Sequence, residues 1–341
     1  MPSSPIHRIG GALTAIRAVP HPSESGLPAL KPTDLADPAL WAPKPVQIID
    51  AATSHLGLRY AIAPGWRPLT LDLHLPLRSN GPTPVVVYAH GGGFSGGIKE
   101  MGPWSKLPSQ GIAVATIDYR LTGEVCYPEP IEDVLAAIRW IRANAETYNL
   151  HSDQIAGWGS SAGGYLMARA ALCDDISPGR PIGDHVNHTA RLSAVVLHYP
   201  VTDFATLVGD TIQPTASAHN DAIDVISRFF GAPMSASEDI LAGASVPSAA
   251  RRASHLPPTH LSHGDADQRC GLRQSTRLHE TILAEGGSSL MNIVAGANHA
   301  DPVFSTPPVV ESAVKFLHSV WEKNTPISST TPSPSKDRPG Q

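Results

Sequence analysis

The segment Gly159-Ser160-Ser161-Ala162-Gly163 sets a serine in the pattern G-x-S-x-G. It follows the apolar run Ile155 to Trp158 and opens a helical stretch from Ala162 to Cys173, so Ser161 falls on a tight strand-to-helix turn. Such a turn exposes the hydroxyl and aims a helix N-terminus at it, which suits nucleophilic attack. Taken alone, the five residues also describe an ordinary glycine turn. A second cluster, His90-Gly91-Gly92-Gly93-Phe94, follows Val85 to Ala89. Without side chains, Gly91, Gly92 and Gly93 let backbone N–H groups approach a carbonyl oxygen on which charge develops, although a flexible turn would read the same way. A serine nucleophile also needs a base and an orienting acid. Two late segments offer them: His263-Gly264-Asp265-Ala266-Asp267, with two candidate carboxylates, and Asn298-His299-Ala300. Both follow apolar runs, where loops at strand C-terminal ends bind ligands in open α/β sheets.

The elements that must hold these residues are legible from periodicity. Leu69, Leu71, Leu73 and Leu75 alternate with Thr70, Asp72 and His74, the period of a half-buried strand. Val85 to Ala89 and Ile112 to Ile117 are continuous apolar runs, which predicts strands covered on both faces. After Pro130, the residues Ile131, Val134, Leu135, Ile138 and Ile141 recur at helical spacing. Further strands are expected at Ala194 to Leu197, Thr259 to His263 and Leu290 to Val294, with helices near Gly271 to Glu285 and Val309 to Trp321. This alternation predicts an α/β protein with a mostly parallel sheet. The stretch from about Val201 to Ser254 breaks it, with one clear helical piece around Ala222 to Phe230, and reads as a cap or lid insertion.

Composition narrows the function classes. The chain has 341 residues, 41% of them hydrophobic, and a formal net charge of -5 with no Lys/Arg cluster, so neither nucleic acid nor an anionic membrane is an expected partner. No apolar run is long enough to span a bilayer, and Met1 to Ala18 does not read as a secretory signal. Cys126, Cys173 and Cys270 are scattered and odd in number, which points to a reducing, cytoplasmic setting. The 16 histidines form no recognised metal spacing, so no metal is expected. Proline concentrates near both ends.

With the stretches Leu71-Asp72-Leu73-His74-Leu75-Pro76, HGGGF at His90, Asp118-Tyr119-Arg120-Leu121, Pro130-Ile131-Glu132-Asp133-Val134, Gly159 to Gly164, His263 to Asp267 and His299, the sequence resembles the carboxylesterase/lipase group of α/β hydrolases. That group includes hormone-sensitive-lipase-like esterases and the feruloyl-esterase and kynurenine-formamidase-like branch. The resemblance covers roughly residues 57 to 320. It implies an α/β-hydrolase fold and a serine esterase acting on a small-molecule carboxylic ester through an acyl-enzyme, without cofactor. Acyl transfer, lactonisation or elimination in the same pocket is the alternative, and a non-catalytic ligand-binding relative is a third. Carried across, Ser161 is the nucleophile, Asp267 the acid and His299 the base. Oxyanion donors lie among Gly91, Gly92 and Gly93, with Gly92 and Gly93 favoured, together with the N–H of Ala162. In the H-G-x-x-D pattern the fifth residue is the functional carboxylate, which places Asp267 ahead of Asp265.

The remaining expectations are plainer. Asp118 and Arg120 read as a buried pair or loop anchor, and Cys270 as a small packed residue. Phe94 and Trp104 could wall an acyl pocket or belong to the core. His198-Tyr199-Pro200 could touch substrate, with a packed core pair the stronger reading. The expected organisation is a Pro-rich arm over residues 1–56, the hydrolase domain over 57–322 with its cap at about 201–254, and a disordered tail over 323–341; a homodimer is left open.

Overall fold

Valine-rich runs make poor surface strands and good central ones, and the computed structural model places them accordingly. It describes residues 46, 48–63, 67–173, 179–211, 216–233 and 238–324, all within the unit Lys44–Gln341. The expected N-terminal arm as far as residue 45 lies outside the described residues, as do residues 325–341 of the expected tail, whose first two residues, Lys323 and Asn324, instead end the C-terminal helix. Eight strands form one sheet: β1 (Ala52–Ile62), β2 (Pro68–Pro76), β3 (Thr83–Ala89), β4 (Ala113–Ile117), β5 (Leu150–Ser160), β6 (Ala194–His198), β7 (Thr259–Gly264) and β8 (Ser289–Val294). Their spatial order is β1-β2-β4-β3-β5-β6-β7-β8. The β1–β2 and β2–β4 pairs are antiparallel, and every pair from β4 to β8 is parallel. With helices on both faces, this is the expected α/β-hydrolase fold.

Alternation along the strands sorts side chains into two cores. Val85, Val87 and Ala89 of β3 join one cluster with Ile131, Val134, Leu135 and Ile138 of helix α1 (Glu129–Ala143) and Leu166 and Met167 of helix α2 (Ala162–Ala171). Val86 and Tyr88 join the other cluster, with Val310, Val314, Leu317 and Trp321 of the C-terminal helix at Pro307–Asn324. Truncating one such buried aliphatic to alanine costs about 2–5 kcal/mol. Helix α1 starts with Pro130 in its first turn, beside Glu129 and Glu132, and carries Arg142 in its last turn, a charge order that suits the helix dipole.

Strand β1 was not among the expected strands. It begins at Ala52, before residue 57, and its pairing with β2 slips twice, between His55 and Leu58 and between Arg59 and Ala61. Those slips interrupt the alternation that would have marked it. Among the described residues, four helices lie between β6 and β7, of which the sequence shows one clearly: α3 (Phe204–Asp210), α4 (Ala216–Phe230), α5 (Glu238–Ala244) and α6 (Val246–Ala250). Short helices at five to seven residues give too few turns for a period to show. Helix α7 (Arg273–Ala284) follows β7, and the C-terminal helix is α8.

Asp118 and Arg120 do not pair with each other. Arg120 forms a buried two-pronged bond with Asp133 of α1 at 2.6–3.0 Å and reaches Glu129 at 3.4 Å. Asp118 meets Lys99, which also reaches Asp72. Both anchor loops through these pairs. Removing either partner of the Arg120–Asp133 pair would strand a buried charge, at about 3–5 kcal/mol.

Candidate active site

Strand β5 delivers Ser161, and helix α2 begins immediately after it. Ser161 sits at φ 53°, ψ -117°, a conformation costly for a residue with a side chain. Close backbone packing imposes it. A Cβ on Gly163 would lie 2.1 Å from Ala89 O, and one on Gly159 would lie 2.2 Å from Gly163 O. The turn is therefore folded so tightly against the end of β3 that only glycine fits at either side. The Ser161 N–H donates to His198 O at 2.9 Å, and Ser161 O accepts the first helical bond, from Tyr165 N at 3.1 Å.

The glycine loop after β3 lies against this turn, with the Cβ position of Gly91 only 3.3 Å from Ser161 Cβ. Gly92, at φ 125°, folds the loop so that its carbonyl accepts from the N–H groups of Ser95 and Gly96. The buried His90 ring stacks on Tyr119 at 4.5 Å, and the Tyr119 hydroxyl donates to His90 O at 2.9 Å. Among the described residues, no backbone acceptor pairs with the N–H of Gly91, Gly92, Gly93 or Ala162.

The base and acid come from the loops after β8 and β7. His299 Nδ1 lies 2.7 Å from Asp267 Oδ2, and His299 Nε2 lies 2.9 Å from Ser161 Oγ. Because a carboxylate only accepts, Nδ1 carries the proton, and in the neutral ring Nε2 accepts from the Ser161 hydroxyl. The Asp267 side chain is fully buried. Its Oδ1 accepts from the N–H groups of Arg269 and Cys270, at 2.9 and 2.8 Å. Burial by itself would raise the Asp267 carboxyl, but the hydrogen bonds from His263 and His299, the His299 charge and the Cys270 N–H outweigh it and hold its pKa well below the usual carboxylate range.

Asp265, the other carboxylate of this loop, is exposed and accepts from Gly296 N at 2.6 Å. It serves the loop and does not reach His299. Cys270 is fully buried, donates to Pro200 O at 3.2 Å and has its thiol pushed well up by burial, as befits packing rather than attack. Phe94 is buried and stacks on Phe229 of α4 at 3.9 Å between centroids. Trp104 is buried and stacks on His74 at 4.5 Å, in the core cluster that holds Val86 and Tyr88. His198 is a core residue: its pKa is pushed down to about 3 by burial, with His260 adding to the effect, and its ring packs on Trp158 and Phe304.

Three further contributors stand around the triad; the sequence offers Tyr199 only within His198-Tyr199-Pro200, as a possible substrate contact, and Asn298 and His263 only as parts of the motifs that carry the base and the acid. Tyr199, at φ 38°, presents its ring edge-on to His299 at 4.9 Å. Asn298 Oδ1 accepts from both Gln268 N and His299 N, at 3.0 and 2.7 Å, which ties the acid and base loops together. His263 bonds the same carboxylate oxygen as His299. Tyr199 and Asn298 flank a strand end and a recognised residue respectively, but nothing local announces the contacts. Among the described residues no group of three or more His, Cys, Asp or Glu could hold a metal ion, and no helix is long and apolar enough to cross a membrane.

The chain is 31% identical over 214 residues to carboxylesterase NlhH of Mycobacterium tuberculosis, a match covering 61% of this chain and 62% of that protein. It thus spans about 62% of the length of that relative. In three dimensions it is similar to a truncated carbohydrate esterase from gut microbiota, with a TM-score of 0.70 at 22% identity, covering 81% of this chain and 99% of the other. It is also similar to esterase B of Lactobacillus rhamnosis, with a TM-score of 0.66 at 21% identity, covering 85% and 91%. At those identities the likeness is one of fold. The BD-FAE family model matches residues 71–282, more than half of the chain and the span from β2 through the nucleophile turn and the acid loop into α7, so the chain belongs to the BD-FAE family.

Proposed function

We propose that this protein hydrolyses carboxylic esters of small molecules through an acyl-enzyme on Ser161. One observation carries the reading: an unbroken hydrogen-bonded chain from Asp267 through His299 to a serine held on a strained, glycine-flanked turn. The similarity to a carboxylesterase supports the same chemistry. Ser161 Oγ attacks the ester carbonyl as His299 Nε2 takes its proton, and Asp267 holds the ring in the required tautomer and stabilises the imidazolium. The N–H groups of the Gly91-Gly92-Gly93 loop and of Ala162 receive the oxyanion, each such donor being worth about 3–4 kcal/mol. His299 then gives its proton to the departing alcohol. A water, deprotonated by the same base, attacks the acyl-enzyme and releases the acid.

The segment 201–254 is the cap in this reading. Helix α4 brings the Val225 side chain to 3.6 Å from the Cβ position of Gly93, so it borders the oxyanion loop, and the chain that roots the cap is clamped by Gln274. Three scattered cysteines, Cys126, Cys173 and Cys270, odd in number, support a reducing, cytoplasmic setting. The decisive experiment is a fluorophosphonate label with peptide mapping, alongside turnover of short p-nitrophenyl esters. Label on Ser161 and a loss of about 10⁶ in kcat for Ser161→Ala are expected. Label on another residue, or turnover that survives the substitution, would remove the assignment.

A further inference from the structure

Asp267 Oδ2 faces two imidazoles. His299 Nδ1 lies at 2.7 Å, and His263 Nε2, from the end of β7, lies at 3.1 Å. The tautomer of His263 is set by its surroundings. Its Nε2 is also 2.6 Å from Cys270 O, which can only accept, so Nε2 carries a hydrogen shared between that carbonyl and the carboxylate. In the neutral ring Nδ1 is then an acceptor, and Ser275 Oγ of α7 stands 2.7 Å away to donate to it. His263, Ser275 and Asp267 are all fully buried, so water does not compete for these bonds. The titratable groups facing this carboxylate are His299 from the loop after β8, His263 from β7, Cys270 from the turn before α7 and Tyr199 from the loop after β6.

We propose that His263 is a positioning residue for the reaction: its Nε2–H holds Asp267 Oδ2 in line with His299 and draws off part of the charge that the carboxylate presents to that ring. The proposal rests on the ester-hydrolase reading for its consequence in turnover, but its electrostatic part concerns Asp267 and His299 alone. A carboxylate relieved of one donor is a stronger hydrogen-bond acceptor and favours the imidazolium, so His299 should hold its proton to higher pH without His263. Ser275 secures the arrangement by occupying Nδ1, which keeps the hydrogen on the nitrogen that faces Asp267.

The test measures the pH profile of kcat/KM and, independently, the titration of the His299 ring by nitrogen-15 NMR. In His263→Leu the acid limb and the ring titration should both move up by about one pH unit, with kcat reduced and KM little changed. His263→Gln, whose amide can donate toward the same oxygen, should bring both back toward wild type. Ser275→Ala leaves His263 in place and should move both in the same direction by less; it carries the test if His263→Leu does not fold. Unmoved limbs and ring titrations in His263→Leu and Ser275→Ala, with only a lower melting temperature, would overturn the proposal and leave His263 as packing. If the wild-type protein does not hydrolyse esters yet the ring titration shifts as stated, the ester-hydrolase reading fails while the action of His263 on Asp267 and His299 stands.

Discussion

The two halves of the candidate site are held by different forces. On the nucleophile side, Gly91, Gly159, Ser161 and Gly163 are fixed by backbone packed against backbone, with no space for a Cβ at Gly159 or Gly163. On the acid–base side, Asp267 and His299 lie on separate loops and are fixed by directed hydrogen bonds, from His263, Arg269 and Cys270 to Asp267 and from the N–H groups of Gln268 and His299 to Asn298 Oδ1. Packing of this kind is insensitive to charge and intolerant of volume. Hydrogen bonding to a carboxylate is the reverse, so substitution and pH should separate the two halves.

The largest effect expected on the acid–base side is that of Asp267→Asn. The shape survives but the His299 tautomer and imidazolium lose their partner, so kcat should fall by about 10⁴ with a much smaller change in KM. Stopped-flow or steady-state ester hydrolysis reads it, and a loss confined to KM would contradict the charge argument. On the other side, Gly163→Ala adds one methyl group and no charge. Because that carbon meets the Ala89 carbonyl rather than a flexible side chain, the turn must shift, and a displacement of about 1 Å should cost about 10² in kcat at every pH. A variant as active as wild type would show that the turn has slack.

Acid titration sharpens the contrast. The Asp267 pKa is depressed in the fold relative to about 3.9 in the unfolded chain, so its stabilisation is present above that value and is lost as pH falls toward the folded value. Urea melts should show a stability gap between wild type and Asp267→Asn that closes below about pH 4, as the carboxylate takes up its proton. The gap between wild type and Gly163→Ala should show no such closure. The smallest effect belongs to Asp265→Asn. Exposed and bonded only to Gly296 N, that carboxylate should contribute less than about twofold to kcat/KM. A loss approaching that of Asp267→Asn would transfer the orienting role to it.

Legibility followed the range of the interactions. Strand β3 and helix α1 were readable because a run of valines and a 3.6-residue period are local signals of burial. Strand β5 was read only from Ile155, although it begins at Leu150, since His151-Ser152-Asp153-Gln154 carry no apolar pattern and are held by pairing and position. The stack of Trp104 on His74 joins two residues 30 positions apart, a contact that no local pattern announces. His263 is legible as the first residue of a motif, but its bond to Asp267 depends on how the chain returns at Cys270 and on Ser275 in the first turn of α7.

What the amino-acid order determined by itself was the set of chemical groups and the elements that carry them: a serine between glycines at a strand-to-helix turn, a glycine loop after a central strand, a carboxylate and an imidazole after later strands. These depend on local sterics and periodic burial, which act within a few residues. Only the tertiary structure decided which carboxylate meets which imidazole, that His299 reaches Ser161 across 138 positions of chain, and that a second histidine shares the acid. Parallel strand order β5-β6-β7-β8 sets those loops side by side at one edge of the sheet, and hydrogen bonds of about 3 Å discriminate between groups that no sequence spacing can rank.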